Sequence, residues 1–422
     1  MKFNSICVHA GNNPDETGAR QIPIHQSASF VFKSAKQAAD LFALKEIGYI
    51  YSRLTNPTIS ALQERMSAVE GGVGAIACSS GHAAQLTAFH NLLQSGDEFI
   101  ASKKLYGGSI NQFKNSFKQY GWHAKFVDTQ NIDEVKSAIN NKTKFIFIES
   151  LSNPEGAVSD IKTLANIAHE NSIPLLVDNT IATAFLVKPI EHGADIVINS
   201  TTKFITGNGS AVGGVIIDSG NFNWSQSNKF PLLCQPDPSY HGLKFHEACG
   251  NMAFTFRGIA VGLRDLGAVM APMNAFLTML GLETLPLRMA KHCFNALKVA
   301  EFLDSHDKVD WVKYPGLKSN KYHNLATKYL KGGFGAVFTF GVKGGEESGK
   351  KIVDSCKLFS HVANVGDARS LIIHPASTTH SQLSEEEKKL SNSSNDVLRV
   401  SIGIEDAEDI IADLSQALDQ VD

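Results

Sequence analysis

Much is missing from this 422-residue sequence, and each absence narrows what it can do. It has only six cysteines (Cys7, Cys78, Cys234, Cys249, Cys293 and Cys356), with no CxxC pair and no tight Cys/His spacing. A structural metal site or a disulfide scaffold is therefore not expected, and a reducing compartment suits the chain. An excess of one charge is lacking too: 39 Lys and Arg stand against 42 Asp and Glu, a net charge of −3. No broad field would hold such a surface on nucleic acid or an anionic membrane, although a local basic pocket is allowed. No long hydrophobic run occurs. The most apolar stretch, 267–281, is broken by Pro272, Asn274 and Thr278 and is too short to span a bilayer. The opening MKFNSICVHAGNNPDE lacks the apolar centre of a signal peptide. The expectation is a soluble, cytoplasmic protein with no nucleic-acid or membrane partner.

What is present is a regular alternation. Residues 1–55 show little periodicity and read as an extended arm that must pack on something else. Asn56-Pro57 is a helix start, followed by Ile59, Leu62, Met66 and Val69 at helical spacing, with Gly71-Gly72 as the stop. Seven short apolar runs follow: 75–80, 98–102, 124–128, 145–150, 174–178, 195–200 and 212–218. Most are separated by enough chain for a helix, which predicts a largely parallel sheet covered on both faces. Beyond about residue 270, a helical run at 290–303, three apolar runs (335–342, 371–376, 397–403) and a closing amphipathic helix predict a smaller α+β domain. The stretch 384–396 reads as a charged helix and polar loop.

Three motifs fail on inspection. GNGSAVGG (207–214) precedes a strand, whereas a dinucleotide loop follows one and opens a helix. GGEESGKK (344–351) puts Lys351 where a Walker A loop needs Ser or Thr, and reads as a surface turn. His374 and His380 bracket HPASTTH without a third ligand, so turn and hydrogen-bonding roles are expected rather than metal.

One constellation survives. Asp178 ends the run PLLVD, Lys203 follows the next run within Ser200-Thr201-Thr202-Lys203, and SSGHAA (79–84) opens a helix after the first strand. Carboxyl ends of strands are where open α/β sheets bind ligands. A lysine placed there among hydroxyls has a chemical reason if it forms a Schiff base with pyridoxal 5'-phosphate. That cofactor also needs a carboxylate on its pyridine nitrogen, which Asp178 offers, and a phosphate cradle. Amides following Ser80-Gly81 at a helix N-terminus, with the Ser200 and Thr202 hydroxyls, would supply the cradle.

With YSRLTNPT (51–58), LYGGS (105–109), SNPEG (152–156), VDNT (177–180), NSTTKF (199–204) and RVSIGIED (399–406), the chain resembles the cysteine/methionine-metabolism pyridoxal-phosphate enzymes of fold type I over nearly its whole length. The resemblance implies a large, mostly parallel seven-stranded sheet between helices plus the small C-terminal domain, divided as 1–55, 56–270 and 271–422. It implies that Lys203 carries the cofactor and shuttles protons, that Tyr106 stacks on the ring, and that Asn153 contacts the ring hydroxyl. Ser80, Gly81, His82, Ser200 and Thr202 would bind phosphate, and Arg399 the substrate carboxylate, with Asn364 beside it. Tyr51 and Arg53 would reach the phosphate of a neighbouring subunit, making a homo-oligomer, a tetramer built from dimers with shared sites. Tyr106 and Tyr51 would assist proton steps, and no metal is implied.

Within the family, the insertion around 221–251, Asn364 in place of a usual serine, and 256–289 resemble O-acetylhomoserine sulfhydrylases. The reaction implied is γ-replacement on O-acetyl-L-homoserine by sulfide or methanethiol, giving homocysteine or methionine and acetate in sulfur metabolism. The alternatives are a methionine or cystathionine γ-lyase and a cystathionine γ-synthase. His82, Asn208 and Gly108 depart from residues common among the lyases.

Overall fold

The computed structural model describes residues 1–153, 155–378 and 394–421. All seven runs become strands of one sheet: β1 (Gly74–Cys78), β2 (Glu98–Ser102), β3 (His123–Val127), β4 (Thr143–Glu149), β5 (Leu175–Asp178), β6 (Ile196–Asn199) and β7 (Gly214–Asp218). Their order is β1-β7-β6-β5-β4-β2-β3, and only β7 runs against its neighbours. Both faces are covered, so alternate residues of one strand serve two cores. On β4, Phe145 and Phe147 join an aromatic cluster with Phe89, Phe99, Phe113 and Phe117. Ile146 and Ile148 face the other, aliphatic core. That is why these strands read as unbroken apolar runs rather than as alternating ones.

A second sheet gathers β8 (Val309–Lys313), β9 (Val337–Val342), β10 (Ser360–His361), β11 (Leu371–Ile373) and β12 (Val397–Ser401) in the order β10-β11-β12-β9-β8. The closing helix, Ala407–Leu418, buries Ile410, Leu414 and Leu418 as its pattern requires. The half-exposed β8 and the two-residue β10 carry too little apolar pattern to be found from sequence.

Three expectations need correcting. The helical run at 290–303 is the second half of a 33-residue helix, Pro272–Asp304, that continues through Pro286. Proline removes one helical donor, but both halves bury residues, and tertiary packing outweighs that loss. Residues 344–351 are not a turn: Gly344, at φ +83°, caps a helix over Gly345–Ser355. The arm is not extended throughout, because Phe3–His9 and Ala35–Phe42 are helical and Cys7 is buried against the chain itself. The expected charged segment 384–396 lies, up to residue 393, outside the described residues, as does His380. His374 bonds Ser377 and the Asn395 carbonyl, in keeping with its hydrogen-bonding reading. Among the described residues no helix is long and apolar enough to cross a membrane.

The helix Pro57–Glu70 supports the site from below. The Asn56 side chain accepts the Thr58 and Ile59 amides at its start, and Gly71 stops it at φ +87°, a conformation glycine adopts without strain. Its last residue, Glu70, is buried and accepts Nδ2–H bonds from Asn179 at 3.3 Å and Asn199 at 2.9 Å, residues that flank the ends of β5 and β6. Burial pushes its carboxyl up from 4.5 to about 7. The folded state therefore favours the neutral acid. The associated stability is complete below 4.5 and is lost as pH rises through about 7, by up to about 3 kcal/mol. Glu70→Gln should accordingly raise the melting temperature more at pH 8 than at pH 5. An equal offset at both values would show that Glu70 does not titrate in this range.

Candidate active site

A cavity of about 670 Å³ opens at the carboxyl ends of β1, β4, β5 and β6. Its first wall is the start of the helix Gly81–His90. Ser80 caps this helix, its Oγ accepting the Ala83 amide at 3.0 Å. The amides of Gly81 and His82 have no intrahelical acceptor and lie at the positive end of the helix, a ready anion site. Gly81 is required by close approach, since a Cβ there would lie 2.8 Å from Cβ of Ser200. Ser200 and Thr202 complete this corner. The Ser200 amide donates to Thr180 Oγ1 at 2.8 Å, and the Thr202 hydroxyl pairs with the Gly213 backbone.

Asp178 closes β5 and accepts the Thr180 amide at 2.9 Å. Burial raises its carboxyl, which a cationic partner would offset. Lys203 sits one turn past β6. Its Nζ reaches Asn364 Oδ1 at 2.5 Å. Burial, helped by the positive Arg399, pulls its amine down from 10.5 to about 8. The loop bearing Asn364 closes tightly on Lys203: at Gly366, with φ +79°, a Cβ would meet the Lys203 Cβ at 3.1 Å. Arg399, buried on β12, donates to the Asn364 carbonyl at 3.3 Å and makes no ion pair among the described residues.

Tyr106 lies half-exposed over the cavity and stacks on His82, with ring centroids 5.9 Å apart and planes at 26°. Gly108 makes room, because a Cβ there would fall 2.4 Å from the Tyr106 ring. Asn153 turns its amide to the same wall, and its Oδ1 is buried without a partner among the described residues. The sequence thus brings together every expected site residue except two. Tyr51 and Arg53 do not line this cavity; Arg53 stacks over Tyr51 at 5.4 Å and donates to the Arg264 carbonyl.

Among the lining residues not picked out from sequence are Gln85, one turn into the helix from Gly81, and Glu149 at the end of β4. Glu149 was visible as a polar strand end, but nothing in the pattern distinguished it from a capped turn. Pairing across strands does: it sits in register with Asp178.

The parts match the needs of pyridoxal phosphate. The Gly81 cradle would suit a phosphate, Asp178 a protonated ring nitrogen, the Asn153 oxygen a ring hydroxyl, and Lys203 an aldehyde. A sheet of this topology with a lysine, an aspartate and a helix N-terminus so arranged defines a pyridoxal-phosphate enzyme of fold type I.

Comparison with known proteins agrees. The model of a family described as Cys/Met metabolism PLP-dependent enzyme matches residues 4–419, and the chain belongs to that family. It is 46% identical to an O-acetyl-L-homoserine sulfhydrylase of Leptospira meyeri over 100% of this chain and 97% of the relative. It is 45% identical to O-acetyl-L-homoserine sulfhydrylase 1 of Thermus thermophilus, covering 99% of this chain and 100% of the relative. A crystal structure of a Campylobacter jejuni putative O-acetylhomoserine (thiol)-lyase containing pyridoxyl-lysine monophosphate superposes with a TM-score of 0.97 at 42% identity, over 99% of this chain and 100% of that one.

Proposed function

We propose that the protein is an O-acetylhomoserine sulfhydrylase, which exchanges the acetate of O-acetyl-L-homoserine for sulfide or methanethiol to give L-homocysteine or L-methionine. The observation that carries this reading is the cavity itself: a half-buried lysine Nζ at 2.5 Å from Asn364, with a buried arginine that makes no ion pair among the described residues beside it. Full-length relatives of that name at 45–46% identity support the choice of reaction.

Pyridoxal phosphate, when bound, supplies an electron sink that acidifies the protons at Cα and Cβ of the amino acid. The chain supplies everything else. The Gly81 and His82 amides, with Ser80, Ser200 and Thr202, would hold the phosphate. Asp178 would keep the ring nitrogen protonated. Tyr106 would pack on the ring and Asn153 would meet its hydroxyl. Arg399 grips the substrate α-carboxylate with a planar fork, and Asn364 orients both the Arg399 head and the Lys203 amine. Lys203 Nζ removes the Cα proton and serves again at Cβ, its lowered basicity keeping part of it neutral near pH 8. The carbon–oxygen bond at Cγ breaks to release acetate, and the sulfur adds at that carbon. Tyr106 and Tyr51 assist proton transfer to the departing groups.

Incubation with O-acetyl-L-homoserine and sulfide should yield homocysteine and acetate in equal amounts. Release of a 2-oxo acid and ammonia instead, or from methionine alone, would favour the γ-lyase alternative.

The site is shared, on this reading. Residues 1–55 reach across to a second chain, so that its phosphate is completed by Tyr51 and Arg53, within a tetramer built from two such dimers in the cytoplasm. Supporting this, Met273, Leu280, Leu287 and Phe294 recur every seventh residue along the long helix and are all exposed, as are Val31 and Ile47 of the arm. So much exposed apolar surface fits burial by another copy. Arg53→Ala and Lys203→Ala chains, each inactive alone, should regain activity when co-assembled, with about a quarter of sites intact for random two-fold pairing. No recovery in mixed oligomers would show that each chain builds its site unaided.

A further inference from the structure

The floor of the cavity holds a carboxyl group that the reaction does not use. Glu149 is buried at the end of β4, in register with Asp178 on β5. One of its oxygens accepts the Tyr106 amide at 2.5 Å, and the other accepts the Asn153 amide at 3.2 Å. These amides belong to different loops, one following β2 and the other following β4. The Tyr106 loop is anchored on either side by the buried Leu105, the Lys104–Tyr322 contact and the Gln85–Ser109 bond. At Tyr106 itself the Glu149 bond holds the backbone while the His82 stack holds the ring. Tyr106 occupies the N-cap position of the short helix Gly107–Asn111, no side chain of its own caps that helix, and its ring is half-exposed. A buried carboxyl group beside a second, half-buried one is costly, and an apolar residue could close the strand with less penalty. Both burial and Asp178 push the Glu149 carboxyl well above the usual range. What the costly group does is join two loops.

We propose that Glu149 is a positioning residue that ties the Tyr106 loop to the Asn153 loop and so sets the spacing of the two groups that grip the cofactor ring. The proposal rests on reading this cavity as the cofactor site, and is independent of which acylated homoserine reacts.

The test is the affinity of the full-length, cofactor-stripped protein for pyridoxal phosphate, followed by visible circular dichroism, with thermal melting as the check on folding. Glu149→Ala should weaken binding by about 10- to 100-fold and diminish the visible dichroism, since it removes two hydrogen bonds to a carboxyl group. Glu149→Gln keeps one acceptor oxygen but must turn its Nε2 towards the other amide, so an intermediate loss of about threefold to tenfold is expected. It also serves should the alanine variant not fold. The deciding step is a cycle with Tyr106→Ala plus Asn153→Ala. If Glu149 acts through these residues, its removal in their absence should cost less than about threefold. Full multiplication of the separate factors would overturn the proposal, as would wild-type affinity and dichroism in Glu149→Ala. Failure of the wild-type chain to bind pyridoxal phosphate would overturn the cofactor reading, and this proposal with it.

Discussion

Lys203→Ala should lower turnover by at least about 10³-fold while leaving the fold intact. The size of the effect follows from how the side chain is held. An ordinary lysine amine, at 10.5, would be neutral in only about 0.3% of molecules at pH 8; one brought down to about 8 is neutral in about half. Burial thus raises the supply of free base by two orders of magnitude, and Asn364 at 2.5 Å fixes where that base points. On the proposed mechanism, removing it takes away both the group that carries the cofactor and the group that moves the substrate protons. The fold should not suffer, because protonating the amine within the cavity is disfavoured relative to water, a cost that its bond to Asn364 does not cancel, so the cofactor-free variant should melt no lower than wild type at pH 7. The near-visible absorbance of the lysine-bound cofactor should vanish in parallel with activity. Turnover within about tenfold of wild type, with no added amine, would remove Lys203 from the reaction.

Lys203 was also the most legible residue of the site, for the same physical reason. A cation at a buried strand end is so unusual that it demands a chemical explanation, and the apolar runs on either side fix its place. The seven-strand sheet was readable because strands buried on both faces leave continuous apolar runs. The small sheet was readable only where its strands were fully buried, as at Val337–Val342, and not at the half-exposed Val309–Lys313. Only 290–303 of the long helix was read as helical, and the packing of Pro272–Asp304 carries it through Pro286. Glu149 was the real omission. Its partners, Tyr106, Asn153 and Asp178, lie 43, 4 and 29 residues away along the chain, and only the folding of two loops onto one strand end brings them together. Tyr51 and Arg53 show the opposite limit: their motif was legible, but a single chain gives them no site of its own to line.

Arg399 carries the second large effect, and it works in two directions. Its guanidinium is buried and makes no ion pair among the described residues; burial draws it down from 12.5 to about 10. A charge so placed is expensive unless a partner arrives. The α-carboxylate of an amino-acid substrate is such a partner, and a guanidinium binds it through two parallel hydrogen bonds. Arg399→Ala should therefore reduce kcat/KM for O-acetyl-L-homoserine by about 30- to 3000-fold, the range for truncating one member of a buried charge pair. Arg399→Lys should recover only part of this, since a point charge lacks the fork. With substrate absent the sign reverses. Arg399→Met removes an uncompensated charge while keeping much of the apolar stem, so its melting temperature should equal or exceed that of wild type. Sulfide should be unaffected as the varied substrate, because it has no carboxylate to lose. A variant that is both less active and less stable, with KM values for both substrates moved alike, would make Arg399 a strand-edge structural residue. Loss of activity together with gain of stability would identify a charge kept at a cost for the substrate it awaits.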